Sequence, residues 1–394
     1  MKKLLLATSA AAMMAGGASA QEVKIGVILG FTGPLESITP AMGAGAELAM
    51  AEVTESGALL DGATVTSVRG DSTCIDSGAA TAAAERLVTS ENVDAIMGAD
   101  CSGVTGAILQ NVARSNGVVM ISPSATSPGL STAEDDGLFF RTAPSDARQG
   151  VIITDILQDR GFSEVAVTYT NNDYGKGLAD AFEAAFEEAG GTVTISAAHE
   201  DGRADYSAEV GALASAGGEV LVVAGYVDQG GSGVIRAALD TGAFETFYLP
   251  DGMVGSVLND NFGEELNGSF GAYPGTDNAG AGMFVEMAEA AGFDGTSAFA
   301  PESYDAAALI MLAMQAAGST ESADFKDHVF DVANAPGVEI MPGELARGLE
   351  LLAAGEDIDY VGASAVELIG PGESAGNYQE IEFSDGVYST IGYR

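Results

Sequence analysis

Short apolar runs and segments with a three-to-four-residue apolar spacing take turns along this chain. Val23–Phe31 reads as a strand, and behind it Met42, Ala46, Ala49, Met50 and Val53 share one side of a helix over Pro40–Glu55. Strand Thr64–Val68, helix Ser77–Ser90, strand Ala95–Gly98, helix Val104–Arg114 and strand Val118–Ser122 follow. Continuous apolar runs mark buried strands, and the 3.6-residue period marks helices. Their alternation predicts a parallel sheet with helices on both faces.

The rhythm restarts with a short strand at Leu138–Thr142, after which Ser145 is placed to cap a helix running to Arg160. Val165–Thr170, Tyr174–Ala189, Thr192–Ala197, Tyr206–Ala216, Val220–Gly225, Ser232–Thr241 and Thr246–Leu249 continue it. This predicts a second sheet of the same design, duplicated in architecture but not residue by residue. After Phe270–Pro274 comes a mainly helical stretch, Ala281–Ala291, Glu302–Ala317 and Ser322–Val332. A Gly-rich tail follows Tyr360 and contains a last strand, Tyr378–Phe383. No Pro- or Ser-rich linker parts the halves, so short crossing strands suited to a hinge are expected. The fold class is α/β, with two Rossmann-like lobes built on parallel sheets.

The chain begins Met1-Lys2-Lys3, continues apolar from Leu4 to Ala15 and reaches Ala18-Ser19-Ala20. That is the form of an export signal cleaved after Ala20. The run is too short to span a bilayer and contains Thr8 and Ser9. No Cys follows the cleavage point to carry a lipid, and the expected location is the periplasm. With 57 acidic and 15 basic residues the net charge is -42. Such a surface is a poor partner for nucleic acid or anionic lipid. Its plain reading is solubility in a salty medium, where screening shortens fields to about 3–10 Å. Few Lys or Arg are left to hold an anion, so a carboxylate ligand would rest on amides and hydroxyls.

Cys74 and Cys101 are the only cysteines. In an exported protein they read as one structural disulfide, which would stiffen the turn at Ser102. Catalytic chemistry is hard to find. The sequence holds no Walker A loop, no H-E-x-x-H, no G-x-S-x-G and no C-x-x-C. His199 lies in the polar run His199–Arg203, read as a solvated loop, and His328 is read as helix surface. The acidic clusters Glu134-Asp135-Asp136 and Glu200-Asp201 lack the spacing of a calcium loop. The sequence therefore calls for no catalytic residue, metal or cofactor.

What remains is a binding site at strand ends. Ala95–Gly98 runs into Asp100-Cys101-Ser102-Gly103, and Val118–Ile121 runs into Ser122-Pro123-Ser124-Ala125-Thr126-Ser127. A strand end before a helix N-terminus offers free N–H groups and a positive dipole end, and hydroxyls there add donors without charge. Two such turns at one sheet edge make a site for a small carboxylate. The second sheet would present Tyr174, Tyr226 and Asp251 at its own carboxyl edge.

At these residues the chain resembles the periplasmic branched-chain amino-acid-binding proteins, the Leu/Ile/Val group of type I solute-binding proteins of ABC transporters. The carriers are Gly30–Leu35, Gly70–Cys74, Cys101-Ser102, Ser122–Pro128, Asp173–Gly177 and Gly225-Tyr226. The resemblance implies that Ser102 and Thr126 hold a ligand carboxylate and that the backbone near Ser124 helps hold its ammonium, with Ala125 among the contact positions. It implies that Tyr174 and Tyr226 face the ligand, that Asp251 pairs with the ammonium, and that Cys74 pairs with Cys101. It also implies a three-strand hinge, with residues 21–142 plus 274–362 in the first lobe and 143–273 plus 363–394 in the second. Ile38, Asp100 and Asp251 depart from the family pattern, which has an aromatic residue, an apolar residue and Glu there; these changes leave room for a ligand more cationic than leucine.

The expectation is an exported, monomeric, non-enzymatic receptor. It would capture a small amino acid, branched-chain first, by closing its lobes, and would deliver it to an ABC permease. A sensory module of the same fold for an amide or other small carboxylate is the first rival. A secreted α/β hydrolase is the second, and it lacks a visible nucleophile.

Overall fold

The computed structural model describes residues 21–394; the expected export signal, residues 1–20, lies outside the described residues. The first sheet takes β1 (Glu22–Leu29), β2 (Thr64–Asp71), β3 (Ala95–Gly98), β4 (Met120–Ser122) and β5 (Phe139–Pro144). The chain then crosses and builds β6 (Glu164–Thr170), β7 (Thr192–His199), β8 (Val220–Ala224), β9 (Phe247–Leu249) and β10 (Phe270–Pro274). It returns through a helical stretch and a small pair, β11 (Val338–Ile340) with β12 (Ile358–Tyr360), then adds β13 (Leu368–Ile369), β14 (Glu373–Ser374), β15 (Tyr378–Ser384) and β16 (Val387–Tyr393).

The two sheets repeat one plan. The first has the order β13-β14-β5-β4-β3-β1-β2, the second β16-β15-β10-β9-β8-β6-β7. The five neighbouring strands β2-β1-β3-β4-β5 are parallel, as are β7-β6-β8-β9-β10. β3, β4 and β8 are buried along their whole length, which is why they read as continuous apolar runs. The edges differ, because β13 and β16 are antiparallel to their neighbours.

Caps fall where the sequence offers them. Ser145 accepts from Ala147 N–H at the start of helix Asp146–Asp159. Asn172 caps helix Asp173–Glu188 by accepting from Gly175 N–H at 3.0 Å. Helix Ala300–Ala317 is buried on every side over most of its length and packs on helix Thr39–Ser56. Gly45 permits that approach, since a Cβ there would meet Ala300 O at 2.5 Å.

Three expectations need correction, and one helix is added. The third crossing lies after Ser374, because β13 and β14 belong to the first sheet; residues 368–374 therefore sit with the first lobe and not the second. Their pairing beside β5 is long-range, so no local pattern announces it. The single helix expected over Ser322–Val332 is two, Ser322–Phe325 and His328–Ala333. Helix Leu345–Ala353 lies between the last predicted helix and the Gly-rich tail, where the sequence reading assigns no element. His199 is not in a solvated loop: it ends β7 at 1% exposure, with Nδ1 2.8 Å from Thr168 Oγ1. The strand alternation carries it inward past the point where the polar run begins.

Candidate functional site

The carboxyl ends of both parallel sheets point into one cleft, where open α/β sheets bind ligands. On the first lobe, Ser102 opens helix Ser102–Ile108 directly behind β3 and is 2% exposed. Its Oγ accepts from Ser127 N–H at 3.1 Å, which ties the first hydroxyl turn to the second. The second turn follows β4. Ser122 Oγ accepts from Ala125 N–H at 3.0 Å, and Ser124 Oγ donates to Asp100 O at 3.0 Å. Arg141 of β5, 1% exposed, supports this turn from beneath, donating to Ala125 O at 2.8 Å and Ser127 O at 3.0 Å. Its other terminal nitrogen meets Glu373 of β14 at 2.5 Å.

The second lobe answers with Tyr174, Tyr226 and Asp251, each under 5% exposed. Tyr174 and Tyr226 stack, with ring centroids 5.2 Å apart and planes at 17°. Tyr174 OH donates to Asp251 Oδ1 at 2.6 Å, and Gly252 N–H donates to the same oxygen at 2.7 Å. Glycine is required at 252, because a Cβ would meet Gly225 O at 2.6 Å and Tyr174 OH at 2.7 Å.

Ser102, Ser124, Tyr174, Tyr226 and Asp251 line one cavity, closed off by Leu35 and Phe299. Ala125 and Thr126 sit directly behind it, at 0% and 2% exposure. Thr126 Oγ1 is buried and has no hydrogen-bond partner among the described residues. The enclosed space is about 20 Å³, the scale of a single water. A molecule of amino-acid size therefore enters only when the lobes part. Two bonds latch the closed arrangement: Ser37 N–H donates to Asp228 Oδ2 at 2.8 Å, and Asp228 N–H donates to Pro34 O at 3.1 Å. Ile38 belongs to this latch and not to the cavity wall; it lies against Gly255 of the second lobe.

Asp100, 1% exposed, also lines the cavity. Its carboxylate accepts from Gly30 N–H and Ser72 Oγ, both at 2.9 Å, joining the ends of β1, β2 and β3. Beside it Cys74 and Cys101 form a disulfide with Cα atoms 5.2 Å apart. Burial pushes the Asp100 carboxyl above its usual range, against the pull of those donors. Burial also raises Asp251, to about 6, despite the bonds from Tyr174 and Gly252.

The sequence reading missed Asp146 and Gln149. Asp146 is fully buried at the first interlobe crossing, and its N–H donates to Thr126 O at 2.9 Å. The Gln149 amide, turned so that both ends are satisfied, donates to Asp146 Oδ1 at 3.1 Å and accepts from Asp251 N–H at 3.3 Å. In the sequence Asp146 looks like an ordinary acid in a first helical turn; its one distinguishing trait is the strand end just before it.

A family model described as "Periplasmic binding protein" matches residues 22–346. The chain belongs to that family. The binding protein is 30% identical over 322 residues to Leu/Ile/Val-binding protein homolog 3 of Brucella melitensis, covering 80% of this chain and 86% of the relative. It is 26% identical to the leucine-, isoleucine-, valine-, threonine- and alanine-binding protein of Pseudomonas aeruginosa, over 82% and 85% of the two chains. Its fold matches the leucine-binding protein LivK of Thermotoga maritima at TM-score 0.78 and 23% identity, covering 94% and 98%. It also matches LivJ of Streptococcus pneumoniae, solved with isoleucine, at TM-score 0.77 and 22% identity, covering 94% and 99%. No helix among the described residues is long and apolar enough to cross a membrane.

Proposed function

We propose that this binding protein captures a small amino acid between its lobes, the branched-chain set being where its named relatives point, and hands it to the membrane permease of an ABC importer. The observation that carries the reading is the convergence of neutral donors on one lobe with a buried acid on the other. The ligand carboxylate would take Ser102 and Thr126, through hydroxyl and amide. Its ammonium would take Asp251 and the backbone near Ser124. Tyr174 and Tyr226 would cover it. Both sets of contacts exist together only when the lobes are shut, so the ligand shifts the population toward the closed form.

The protein acts as a carrier and not as an enzyme. It works in the periplasm as a monomer, after removal of residues 1–20. Mass spectrometry of the small molecule released on denaturing freshly purified protein, followed by calorimetry with that compound, tests this reading. A bound amino acid with a one-to-one stoichiometry supports it. Turnover of an offered amide, or the absence of saturable binding by any of the common amino acids, overturns it.

A further inference from the structure

A second recess lies beside the second and third crossings, where Gly275 and Gln379 line it. It encloses about 720 Å³, within the range of small-molecule sites. Both lobes wall it. Tyr273 comes from β10, and Tyr388 and Tyr393 from β16. The first lobe brings Asn278, Phe299 and Glu302. Phe299 also closes the amino-acid cavity, so the two spaces meet at that residue.

Two polar groups on this wall are incomplete. Glu302, in the first turn of helix Ala300–Ala317, is 2% exposed, and its Oε2 has no hydrogen-bond partner among the described residues. Asn278 caps helix Ala279–Ala291 through Oδ1, which accepts from Ala281 N–H at 2.8 Å. That bond fixes which way the amide faces and leaves Nδ2 buried without an acceptor. Buried polar atoms in folded proteins are nearly always paired, so an acid and a donor are left open on one recess. The rest of the wall sets the sign of the ligand. Asp277 and Glu286 join Glu302, and no Lys, Arg or His lines the recess. Aromatic faces attract organic cations, and a buried carboxylate needs a positive partner. We propose that the recess binds a small organic ammonium ion that also carries a hydroxyl: the cationic head meets Glu302 and the tyrosines, and the hydroxyl oxygen accepts from Asn278 Nδ2. The site is separate from the amino-acid cleft and does not depend on what that cleft holds.

Groups that bear on the charge of Glu302 come from several elements. Asp305 lies on the same helix, where Tyr360, Ala363 and Ser364 already hold its carboxylate. Tyr273 faces Glu302 from β10, with Tyr388, Tyr393 and Asp294 around it. Burial pushes the Glu302 carboxyl up to about 8, so it takes up a cation by giving its O–H proton to solvent. Choline is the probe, because its charge does not change with pH. Calorimetry at about pH 9 should find saturable binding with one choline per protein. Neohexyl alcohol, its uncharged carbon analogue, should not bind, and tetramethylammonium, which lacks the hydroxyl, should bind about tenfold more weakly. From about pH 6 to 8 the choline dissociation constant should fall by up to about tenfold per unit and then level off. Glu302→Gln should remove that slope and weaken choline binding by about tenfold or more above it. The comparison of choline with its analogues needs no variant, so a poorly folding Glu302→Gln leaves the test intact. No saturable choline binding, equal binding of either analogue, or a Glu302→Gln protein with parental affinity and slope overturns the inference. So does displacement of choline by L-leucine, which places choline in the amino-acid cleft. None of these outcomes overturns the amino-acid reading.

Discussion

Arg141→Met is the sharpest probe of how the second hydroxyl turn is held. The guanidinium is 1% exposed and Glu373 is 8% exposed. One side chain supplies the counter-charge to Glu373 and the donors to Ala125 O and Ser127 O. Removing one partner of a buried ion pair costs about 3–5 kcal/mol. Orphaned buried acceptors cost about 1–3 kcal/mol each, but here the same loss creates all of them, so the figures overlap. A total near 4 kcal/mol corresponds to a melting temperature about 10 °C lower for a lobe of this size. The double variant Arg141→Met/Glu373→Leu removes the stranded charge and leaves Ala125 O without the Arg141 donor and the Ser131 hydroxyl without its two partners, while Ser127 O keeps Leu130 N–H, so it should recover roughly half of the loss. Thermal melts of ligand-free protein followed by far-UV circular dichroism give the comparison. A single variant melting within about 2 °C of the parent would refute the reasoning, and so would a double variant no better than the single.

Asp251→Ala should weaken amino-acid binding by about two to three orders of magnitude, since it strips the ammonium of its second-lobe partner; calorimetry that finds parental affinity removes Asp251 from the site. Replacing Cys74 and Cys101 by Ser opens a loop with a sequence separation of 27 and should lower stability by about 3.5 kcal/mol in the chain-entropy model, read as a shift in the urea midpoint; an unchanged midpoint contradicts it. Glu302 is buried and pushed up to about 8, so the folded state holds its proton above the unfolded range near 4.5. Stability is therefore fully present below that range and declines as pH rises toward 8, and Glu302→Gln should flatten the decline in melts taken across it. His199 is pushed down to about 4 by burial, so acidification from its unfolded value near 6.5 toward 4 should destabilise the protein, and His199→Gln should remove that part of the slope.

The central parallel strands were readable because burial on both faces writes them as unbroken apolar runs, and β3 and its following turn fall where the pattern puts them. Turn chemistry was readable too, since Ser145 and Asn172 cap with side chains whose reach is local. The features that escaped depend on distant parts of the chain. β14 pairs beside β5 more than two hundred residues away. Asp146 looks like any acid in a first helical turn until the second lobe brings Asp251 to it. His199 looks solvated because its sequence neighbours are polar, yet the pleat turns it inward. Of the site, Ser102, Ser124, Tyr174, Tyr226 and Asp251 reach the same cavity, while Ile38 became an interlobe contact and Ala125 and Thr126 form the layer behind.

The interleaving of the two sheets constrains how the chain can be assembled and cut. The first sheet opens with β1 at Glu22 and is complete only with β14 at Ser374; the second is complete only with β16. Neither half exists as a continuous stretch, so a ribosome has released almost the whole polypeptide before either sheet can close. Pairings that span so much sequence form slowly, which keeps the chain open for longer after synthesis. A stop codon near residue 365 would take strands from both sheets at once, and an isolated half could be obtained only by stitching separate segments through a new linker.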